Sequence, residues 1–331
     1  MENTAASRNE RVGESAAQDG RTGARPTAGG PGDRESDFGP AVDVIIPVYN
    51  GEAFIGETVA SVLRQTHRNV RVLCLIDGSK DRSKAIIESF GDPRIVVLER
   101  ENRGAVCRRN EGLTLSESEF LLFLDHDDVL YPDCLETALA AMRERDAAAV
   151  AFGGHLIDAE GRIIRRMYRF FPPRLTLDRL SRGNVLFTTG QVLIRRRALV
   201  AVGGFDEGAG SAADWDLWLR LAKRGLEMAF VNRCLMGYRL HDRNDSKNAA
   251  KMLAGERYIL RNALRMYGDP DKYESCALMR YAARSGDFGA LSEALKLNAG
   301  LLFHPRFIQA VLQAAARRRA SVRAKRQAAG R

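Results

Sequence analysis

The sequence predicts an α/β protein with a mixed, mostly parallel sheet flanked by helices, and with a helical extension at the C-terminal end. Between residues 42 and 125, short apolar segments alternate with segments whose apolar residues recur at helical spacing. The apolar segments are unbroken, which is typical of strands that helices cover on both faces. After about residue 250, the spacing of the apolar residues is helical throughout.

Short polar turns divide the chain into these elements. The strands are predicted, in order, over residues 42–48, 70–76, 94–98, 119–125, 147–152 and 192–194. The helices are predicted around Ile55, Val59, Val62 and Leu63, over residues 83–90 and 104–115, and from Asp214 through Leu221. Residues 1–40 contain almost no large apolar side chains, so we expect them to be disordered.

The distribution of charge argues against a nucleic-acid partner. The net charge is +9, but seven basic residues and no acidic residue lie between Arg317 and the C-terminal end. Subtracting these seven charges leaves +2 for the rest of the chain. The basic tail has no interleaved aromatic residues, and the body is close to neutral, whereas nucleic-acid binding requires a basic face.

Cysteine usage and hydropathy indicate the compartment. The five cysteines are scattered and form no Cys-x-x-Cys pair, which argues against a disulfide framework or a zinc site. No apolar run approaches the length of a membrane span, and no signal-peptide hydrophobic region is found near the N-terminus. We expect a cytoplasmic protein, either free or peripheral on the inner face of the plasma membrane.

Polar clusters follow three of the predicted strands. Tyr49-Asn50 and Asp77-Gly78-Ser79 come after the first two, and the fourth strand leads into Asp125-His126-Asp127-Asp128. Ligands bind beyond the carboxyl ends of the strands in such sheets. Three aspartates within four positions repel one another, so a hard divalent cation at this strand end is one interpretation. The other is a polar turn, since Asp is a common turn residue.

These segments resemble the family-2 glycosyltransferases, because seven motifs of that family occur in its order between about residues 42 and 246. The first four are Ile46-Pro47-Val48-Tyr49-Asn50-Gly51, Asp77-Gly78-Ser79-Lys80-Asp81, Glu101-Asn102-Arg103-Gly104 with Arg109-Asn110, and Leu124-Asp125-His126-Asp127-Asp128. The others are Gly203-Gly204-Phe205-Asp206, Asp214-Trp215-Asp216-Leu217-Trp218-Leu219-Arg220-Leu221 and Tyr238-Arg239-Leu240-His241.

The resemblance implies an A-type glycosyltransferase fold and an inverting transfer of a sugar from a nucleotide-diphosphate sugar to an acceptor hydroxyl, on a glycan or a lipid-linked acceptor. It implies a catalytic domain over residues 41–248, with a nucleotide-binding half to about residue 130 and an acceptor half over 131–248. A helical extension over 249–316 and a basic tail over 317–331 follow. Cell-surface polysaccharide synthesis is the process that this activity suggests.

The resemblance also implies roles for individual residues. Asp127 matches the direct ligand of Mg²⁺ or Mn²⁺, and Asp125 the first carboxylate of the family's Asp-x-Asp pair, near ribose and metal. Tyr49 matches the residue that packs on the base, and Asp77 the acceptor of a hydrogen bond from the base edge. The remaining residues of the nucleotide site are Pro47, Asn50, Asn102, Arg109 and His126.

Asp214 matches the family's general base. An acceptor hydroxyl has a high pKa, so a carboxylate must take its proton as attack proceeds. The other interpretation of Asp214 is an N-terminal helix cap. Two positions depart from the family pattern. Ile76 replaces an acid before Asp77, and Ala213 replaces an acid before Asp214, which leaves the orientation and the pKa of Asp214 unexplained.

Other candidates carry two interpretations each. His241, with Arg239, is placed to reach the metal or diphosphate, or is an ordinary packed histidine. Arg103, Arg108 and Arg109 are phosphate ligands or solvent-facing arginines. The remaining pair, Trp215 and Trp218, are sugar platforms or core residues, with the core favoured for Trp218.

The C-terminal region allows two interpretations. Phe303, Phe307 and Val311 recur at helical spacing after Pro305, and the arginine-rich run follows. This stripe either docks with the tail on an anionic membrane surface, or packs on the catalytic domain while the tail is disordered.

Two further classes compete with the glycosyltransferase. A nucleotidyltransferase shares a similar sheet and aspartate-bound metal, but it requires a Gly-rich basic loop after the first strand, which residues 47–51 do not form. A non-catalytic nucleotide-sugar-binding protein is favoured by loss of the metal or base carboxylates, and Asp127 and Asp214 are both present.

Overall fold

In the computed structural model, the described residues (39–167, 172–181, 183–242, 244–262, 270–303 and 305–329) contain one nine-stranded mixed sheet. The strands are β1 (Val42–Val48), β2 (Val70–Asp77), β3 (Ile95–Arg100), β4 (Phe120–Phe123), β5 (Val129–Leu130), β6 (Ala149–Ile157), β7 (Ile163–Arg166), β8 (Val192–Arg195) and β9 (Met228–Arg239). Their order is β3-β2-β1-β4-β8-β6-β9-β5, and β7 pairs with β6.

Eleven helices occur among the same described residues. They are α1 (Ile55–Leu63), α2 (Ser83–Glu88), α3 (Ala105–Leu115), α4 (Cys134–Glu144), α5 (Leu177–Ser181), α6 (Arg196–Val202), α7 (Ala213–Lys223), α8 (Ala249–Asn262), α9 (Pro270–Ser285), α10 (Phe288–Leu297) and α11 (Pro305–Ala329).

The first four strands pair in parallel, which brings their carboxyl ends to one edge of the sheet. Val42 of β1 pairs with Val70 of β2 and with Phe120 of β4, so the three strands begin in register. Pairing between β1 and β4 ends at Ile45. Pro47 therefore lies where only β2 still pairs with β1, a position that tolerates the missing N–H of proline.

The second half joins this sheet through antiparallel and parallel partners. Strand β8 runs antiparallel to both β4 and β6, whereas β9 runs parallel to β6 and antiparallel to β5. Because β5 follows the Asp125–Asp128 segment and β9 ends at Arg239, this pairing carries the last motif back to the aspartates.

Each face of the sheet carries its own apolar layer, which explains the unbroken apolar strands. Ile46 of β1 points into a layer with Val59 of α1 and Leu139 of α4. The neighbouring Ile45 points to the opposite layer, with Trp218 of α7. Alternation along a strand thus buries both sets of side chains.

The predicted class, a mixed sheet flanked by helices with a helical C-terminal region, is confirmed. All six predicted strands and the four helices assigned before residue 225 are present, with ends that differ by a few residues. The sequence did not indicate α4 or the twelve-residue strand β9. The disorder predicted for residues 1–40 falls almost wholly outside the described residues, and the domain boundaries stay predictions.

The helices α9, α10 and α11 form a small apolar cluster of their own. Phe307 is buried in this cluster, Val311 packs against it, and the side chain of Phe303 lies outside the described residues. The predicted stripe is therefore not a free face. Ile308 and Leu312, on the other side of α11, are exposed by 57% and 66%. Within the described part of the chain, no helix is long and apolar enough to cross a bilayer.

Candidate active site

The loops after β1 and β2 hold each other at the carboxyl edge of the sheet. Asn50 N donates to Ser79 Oγ at 3.0 Å, and Asn50 Oδ1 accepts from Lys80 N at 2.9 Å. Asn50 has a φ of +49°, a left-handed conformation that asparagine tolerates better than most residues. Ser79 Oγ in turn donates to the carbonyl of Val48 at 3.1 Å. The Asn50 side chain therefore shapes this loop.

Other nucleotide-site candidates lie at the same edge with different exposure. Tyr49 is 51% exposed, so its ring is available for packing against a ligand. Asn102 is exposed as well, and His126 is half-buried with its ring against Gly51. Pro47, in contrast, is buried inside β1.

Asp77, at the end of β2, is buried and anchors the loop after β3. Its Oδ1 accepts from Arg103 N at 2.8 Å and from Arg108 Nε at 2.9 Å, while Oδ2 accepts from Gly104 N at 2.8 Å. Arg108 is itself buried and also pairs with Glu111. Arg108 is thus neither a phosphate ligand nor solvent-facing, which corrects both interpretations. Oδ2 of Asp77 keeps room for a further hydrogen bond.

Asp125, after β4, is held by donors from two other elements. Its Oδ1 accepts from Arg109 Nη2 of α3 at 2.5 Å, and its Oδ2 accepts from Thr188 Oγ1 at 3.1 Å. Arg109 is largely buried and its Nε has no hydrogen-bond partner. A nearly buried cation beside Asp125 keeps positive charge at the strand edge, where an anionic ligand would be held.

Asn110 explains how Arg109 is aimed. Asn110 Nδ2 donates to the carbonyl of Phe205 at 2.9 Å, and Asn110 Oδ1 accepts from Phe205 N at 2.8 Å. This two-point contact fixes α3 to the Gly203–Asp206 turn and places the Phe205 ring centroid 5.8 Å from the Arg109 guanidinium carbon. Gly204 has a φ of +72°, and a Cβ there would lie 2.8 Å from Asn110 Oδ1, so the turn requires glycine.

Asp127 is brought together with His241 as predicted. His241 Nε2 lies 2.7 Å from Asp127 Oδ2, and Asn244 Nδ2 donates to the same oxygen at 3.4 Å. The His241 ring packs on Phe54 with centroids 4.9 Å apart. The imidazole is therefore oriented by the ring on one side and the carboxylate on the other.

Arg239 does not face the cleft, which corrects the interpretation that it reaches a diphosphate. The side chain is fully buried and donates to the carbonyls of Asp127 and Ala159, both at 2.8 Å, and of Asp158 at 3.2 Å. It also forms a 2.6 Å ion pair with Glu57. Arg239 is a structural hub that connects α1 and the β6–β7 turn to residues 125–128, which we call the aspartate loop.

Asp128, the third aspartate of the cluster, supports the backbone. Its Oδ1 accepts from Arg239 N at 3.0 Å, and the side chain is fully buried. Burial, followed by the negative charges of Asp127 and Asp125, holds the pKa of Asp128 well above its usual range. A raised pKa means that the neutral form of Asp128 is favoured more than in water, because burial and the two neighbouring carboxylates disfavour its charge.

The donor set fits a shared magnesium or manganese site rather than a closed one. Asp125 and Asp127 offer carboxylate oxygens at one strand end, and the His241 imidazole lies against Asp127. No group of three His, Cys, Asp or Glu side chains among the described residues could hold a metal alone. Mg²⁺ is commonly held by one or two carboxylates, water and substrate phosphates, so this set suffices only together with a diphosphate.

Asp214 lies in the first turn of α7 and is not its cap. The cap is Ala212, which makes no side-chain capping bond. Asp214 Oδ2 accepts from Asn184 Nδ2 at 2.8 Å, and Oδ1 accepts from Trp215 N at 2.7 Å. Burial raises the pKa of Asp214, while the Asn184 and Trp215 hydrogen bonds and the positive charge of Arg109 oppose that rise. Asp214 is therefore not at the N-cap position, although its Oδ1 satisfies one first-turn N–H as a capping group does.

The charges around Asp214 link it to the aspartate cluster. Arg109, which contacts Asp125 directly, lowers the pKa of Asp214, and the carboxylate of Asp125 raises it. Asp214 and Asp125 therefore both interact with the charge of Arg109, Asp125 by direct contact and Asp214 at longer range. The neighbouring acid Asp216 is engaged elsewhere, in a 2.6 Å pair with Arg220.

Neither tryptophan of α7 is available to a sugar. Trp218 is fully buried, and Trp215 is 4% exposed with its Nε1 donating to the carbonyl of Leu180 at 2.7 Å. The sugar-platform interpretation is wrong for both, and the core interpretation holds.

Sequence reasoning missed three polar residues of this site: Asn184, Thr188 and Asn244. Asn184 and Thr188 belong to an irregular segment before β8 that has no apolar periodicity. Asn244 was within reach, because it follows His241 by three residues and donates to the Asp127 carboxylate.

Comparison with known proteins identifies the family of this chain. Residues 43–203 match the family model described as Glycosyl transferase family 2. The “Putative teichuronic acid biosynthesis glycosyltransferase TuaG” of Bacillus subtilis is 31% identical over 237 residues, which cover 70% of this chain and 92% of TuaG. An uncharacterized glycosyltransferase of Rickettsia typhi is 29% identical, covering 66% of this chain and 70% of the relative. Other rickettsial relatives are longer, and this chain spans 32–35% of them.

Solved structures show the same fold. S. aureus TarS 1–349 in complex with UDP-GlcNAc aligns with a TM-score of 0.58 and 20% identity, covering 83% of this chain and 81% of that one. The mannosyltransferase PcManGT from Pyrobaculum calidifontis, in complex with GDP-Man and Mn²⁺, aligns with a TM-score of 0.56 and 18% identity, covering 84% and 86%. At such identities the likeness concerns the fold, and it confirms the predicted A-type glycosyltransferase fold.

The chain belongs to glycosyltransferase family 2, and it is a glycosyltransferase. This membership favours the glycosyltransferase interpretation over a nucleotidyltransferase and over a non-catalytic binding protein.

Proposed function

We propose that this chain transfers a sugar from a nucleotide-diphosphate sugar to an acceptor hydroxyl with inversion, using Mg²⁺ or Mn²⁺. The observation that carries the proposal is the position of Arg109. Its guanidinium contacts Asp125 at 2.5 Å and lowers the pKa of Asp214, so the donor-side carboxylates and the candidate base share one cationic centre. A single displacement requires donor and acceptor to be held close together, and a charge that acts on both sets of carboxylates supports this proposal.

Asp127 and Asp125 would hold the cation, with His241 beside them. When bound with the diphosphate, the cation would act as a Lewis acid that offsets the charge of the departing group. Asn244 and the ring of Phe54 keep the Asp127–His241 pair in place. Arg109 leaves its unpaired Nε near Asp125 and adds positive charge for the phosphates.

Asp214 would take the proton of the acceptor hydroxyl. Its raised pKa brings a carboxylate closer to the range in which a general base is efficient. The first-turn position on α7 favours the ionised form, because the helix dipole is positive at that end. The hydrogen bond from Asn184 orients the carboxylate in this chain, where Ala213 leaves no neighbouring acid.

The loops after β1, β2 and β3 would hold the nucleotide. Tyr49 offers an exposed ring for the base, and Asp77 offers the remaining acceptor position of Oδ2. Asn50, Asn102 and the half-buried His126 border the same edge of the sheet. Pro47 would act from inside β1, by fixing the start of the loop that carries Tyr49.

The comparisons support a donor and an acceptor of matching chemistry. The structure of TarS contains UDP-GlcNAc, and the structure of PcManGT contains GDP-Man and Mn²⁺. TuaG is named for teichuronic acid, and a 29% identical relative from Escherichia coli is named chondroitin synthase. We propose that the acceptor is a glycan, either free or lipid-linked, in cell-surface polysaccharide synthesis.

We also propose that the C-terminal region docks on the anionic inner face of the plasma membrane. Leu302 is exposed by 55%, Ile308 and Leu312 of α11 are exposed by 57% and 66%, and the basic residues Arg317 and Arg318 follow on α11. Exposed apolar residues beside basic ones suit the boundary between head groups and acyl chains. Replacing Ile308 and Leu312 by serine should lower co-sedimentation with phosphatidylglycerol vesicles, and unchanged co-sedimentation would remove this part of the proposal.

A donor panel tests the catalytic proposal. UDP-, GDP- and dTDP-sugars are incubated with the protein and Mn²⁺ or Mg²⁺, and release of the nucleoside diphosphate is measured with and without EDTA. We expect one donor class to be turned over only with metal. For that donor, NMR spectra recorded early in the reaction should show an anomeric configuration of the transferred sugar that is opposite to its configuration in the donor. Retention, or equal turnover in EDTA, would contradict the proposal.

A further inference from the structure

A second cavity lies far along the chain from the catalytic motifs, between α9 and α11. It has a volume of about 490 Å³. Its lining comes from six residues of the two helices: Arg280, Ala283, Arg284, Gln313, Ala316 and Arg317. We call this cavity the arginine groove.

Both helices present the same pattern to the arginine groove. On α9, Ala283 and Arg284 follow Arg280 by three and four residues, and on α11, Ala316 and Arg317 follow Gln313 in the same way. Residues at this spacing share one face of a helix. The two small alanine side chains leave space between the longer ones, so the polar groups surround the groove.

The charge of the arginine groove is only partly balanced by the described residues. Arg280 is paired with Glu256 at 2.6 Å. Arg284 and Arg317, in contrast, form no ion pair with any acid among the described residues, and the sequence contains no acid from Arg317 to its end. Both arginines are exposed, and they give the groove a positive charge that no described acid pairs with directly. An anionic ligand would pair with them.

We infer that the arginine groove binds a phosphate-bearing group, a phosphodiester or diphosphate. The guanidinium fork matches phosphate oxygens in pairs, and the amide of Gln313 adds a further donor. The volume lies within the range of small-molecule sites, which is larger than a single phosphate needs. The phosphate comes either from an anionic lipid head group or from a soluble diphosphate.

The lipid source is suggested by the neighbouring surface of α11. Leu312, which precedes Gln313, is 66% exposed, and Ile308 lies one turn earlier. These apolar side chains face solvent on the helix that carries Gln313 and Arg317, on its side away from the α9–α11 cluster. The groove is outside the catalytic cleft, so its occupancy does not depend on the roles of Asp127 and Asp214.

Two arginines of α11 provide a matched test. Arg317→Gln removes a charge that lines the arginine groove, and Arg319→Gln removes the same charge two residues away, from an exposed residue that does not line it. Binding of inorganic pyrophosphate to the full chain is measured by calorimetry without divalent cations. We expect Arg317→Gln and Arg284→Gln each to weaken binding by about tenfold, the loss of one charge-assisted contact, and Arg319→Gln to weaken it by less than about twofold.

Vesicles separate the two sources. Phosphatidylglycerol and phosphatidylcholine vesicles are titrated with the same three variants, with and without soluble pyrophosphate. The site is assigned to a lipid head group if Arg317→Gln loses more affinity for the anionic vesicles than Arg319→Gln does, and if soluble pyrophosphate abolishes this difference. Discrimination with pyrophosphate alone assigns it to a soluble diphosphate. Equal losses for Arg317→Gln and Arg319→Gln with both probes would show only diffuse tail charge and overturn the inference, as would no binding by the unaltered protein.

Discussion

Replacing Asn184 tests how this chain controls its candidate base. Asp214 accepts a 2.8 Å hydrogen bond from Asn184 Nδ2, while burial raises the pKa of the carboxylate. Asn184→Ala removes a donor that favours the ionised form. The pKa of Asp214 should therefore rise further, and the acid limb of the pH–kcat profile should move to higher pH.

The size of the shift follows from the contact. A hydrogen bond to a charged group contributes roughly 1.5–3 kcal/mol, and the lower end applies because Asp214 is half-buried and water can partly replace the amide. At about 1.4 kcal/mol per pKa unit, the loss corresponds to a shift of about one unit. Arg109 and Asp125, the other charged groups that face Asp214, are unchanged in the variant.

The assay measures kcat from pH 4 to 9 at saturating donor, acceptor and metal. Asn184→Asp, which places a second acid beside Asp214, should move the acid limb by more than Asn184→Ala does. Asn69→Ala is the control, because Asn69 makes a similar 2.7 Å amide bond to the Gly39 carbonyl, at the other end of β2. An acid limb that stays in place in Asn184→Ala, even with a lower rate, would refute the control of Asp214 by Asn184.

Three further predictions concern stability and reactivity. Arg239→Gln should lower the free energy of unfolding by about 3–5 kcal/mol in urea titration, because the carbonyls of Asp127, Asp158 and Ala159 lose their buried donor and each unsatisfied buried group costs about 1–3 kcal/mol. Arg82→Gln, at a side chain that is 83% exposed, should cost less than about 1 kcal/mol. A similar loss for both would contradict the hub role of Arg239. Gly112→Ala should lower the melting temperature, because the added Cβ would lie 2.5 Å from Ile45 Cγ2. Such overpacking costs about 1–3 kcal/mol, which exceeds the ~1 kcal/mol that alanine gains over glycine in helix propensity. An unchanged or higher melting temperature would show that the core relaxes there. Iodoacetamide should label the native chain first at its partly exposed thiols and only slowly at buried ones such as Cys74. Burial raises the pKa of the Cys74 thiol to about 12, which leaves little of the reactive thiolate. Rapid labelling of Cys74 in the native chain would contradict its burial. The buried cysteines are Cys74, Cys107 and Cys134.

The first half of the fold was accessible from the sequence because its signals are local. A parallel strand buried on both faces reads as an unbroken apolar run, and β1 is found with the predicted ends, Val42 and Val48. Strand β9 has no such signal. Its twelve residues include Asn232, Arg233 and Arg239, because part of it lies at the sheet margin and part passes beneath the aspartate loop.

The candidate site was only partly accessible for a related reason. A motif places Asp127 and His241 in one family pattern, and the structure puts them 2.7 Å apart. Long-range contacts decide which polar side chains have a structural role and which stay available to a ligand. Arg108 and Arg239 were candidate ligands but are buried counter-charges, whereas Asn184, which belongs to no motif, donates to the candidate base Asp214.

The most direct test of the central claim separates binding from turnover in two variants. Nucleoside diphosphate binding with Mn²⁺ is measured by calorimetry, and sugar transfer is measured on the same samples, for Asp127→Asn and Asp214→Asn. We predict that Asp127→Asn loses metal-dependent binding and transfer together, while Asp214→Asn binds nearly as the unaltered protein does and transfers no sugar. Undiminished transfer by Asp214→Asn, or metal-dependent binding that survives in Asp127→Asn, would contradict the account.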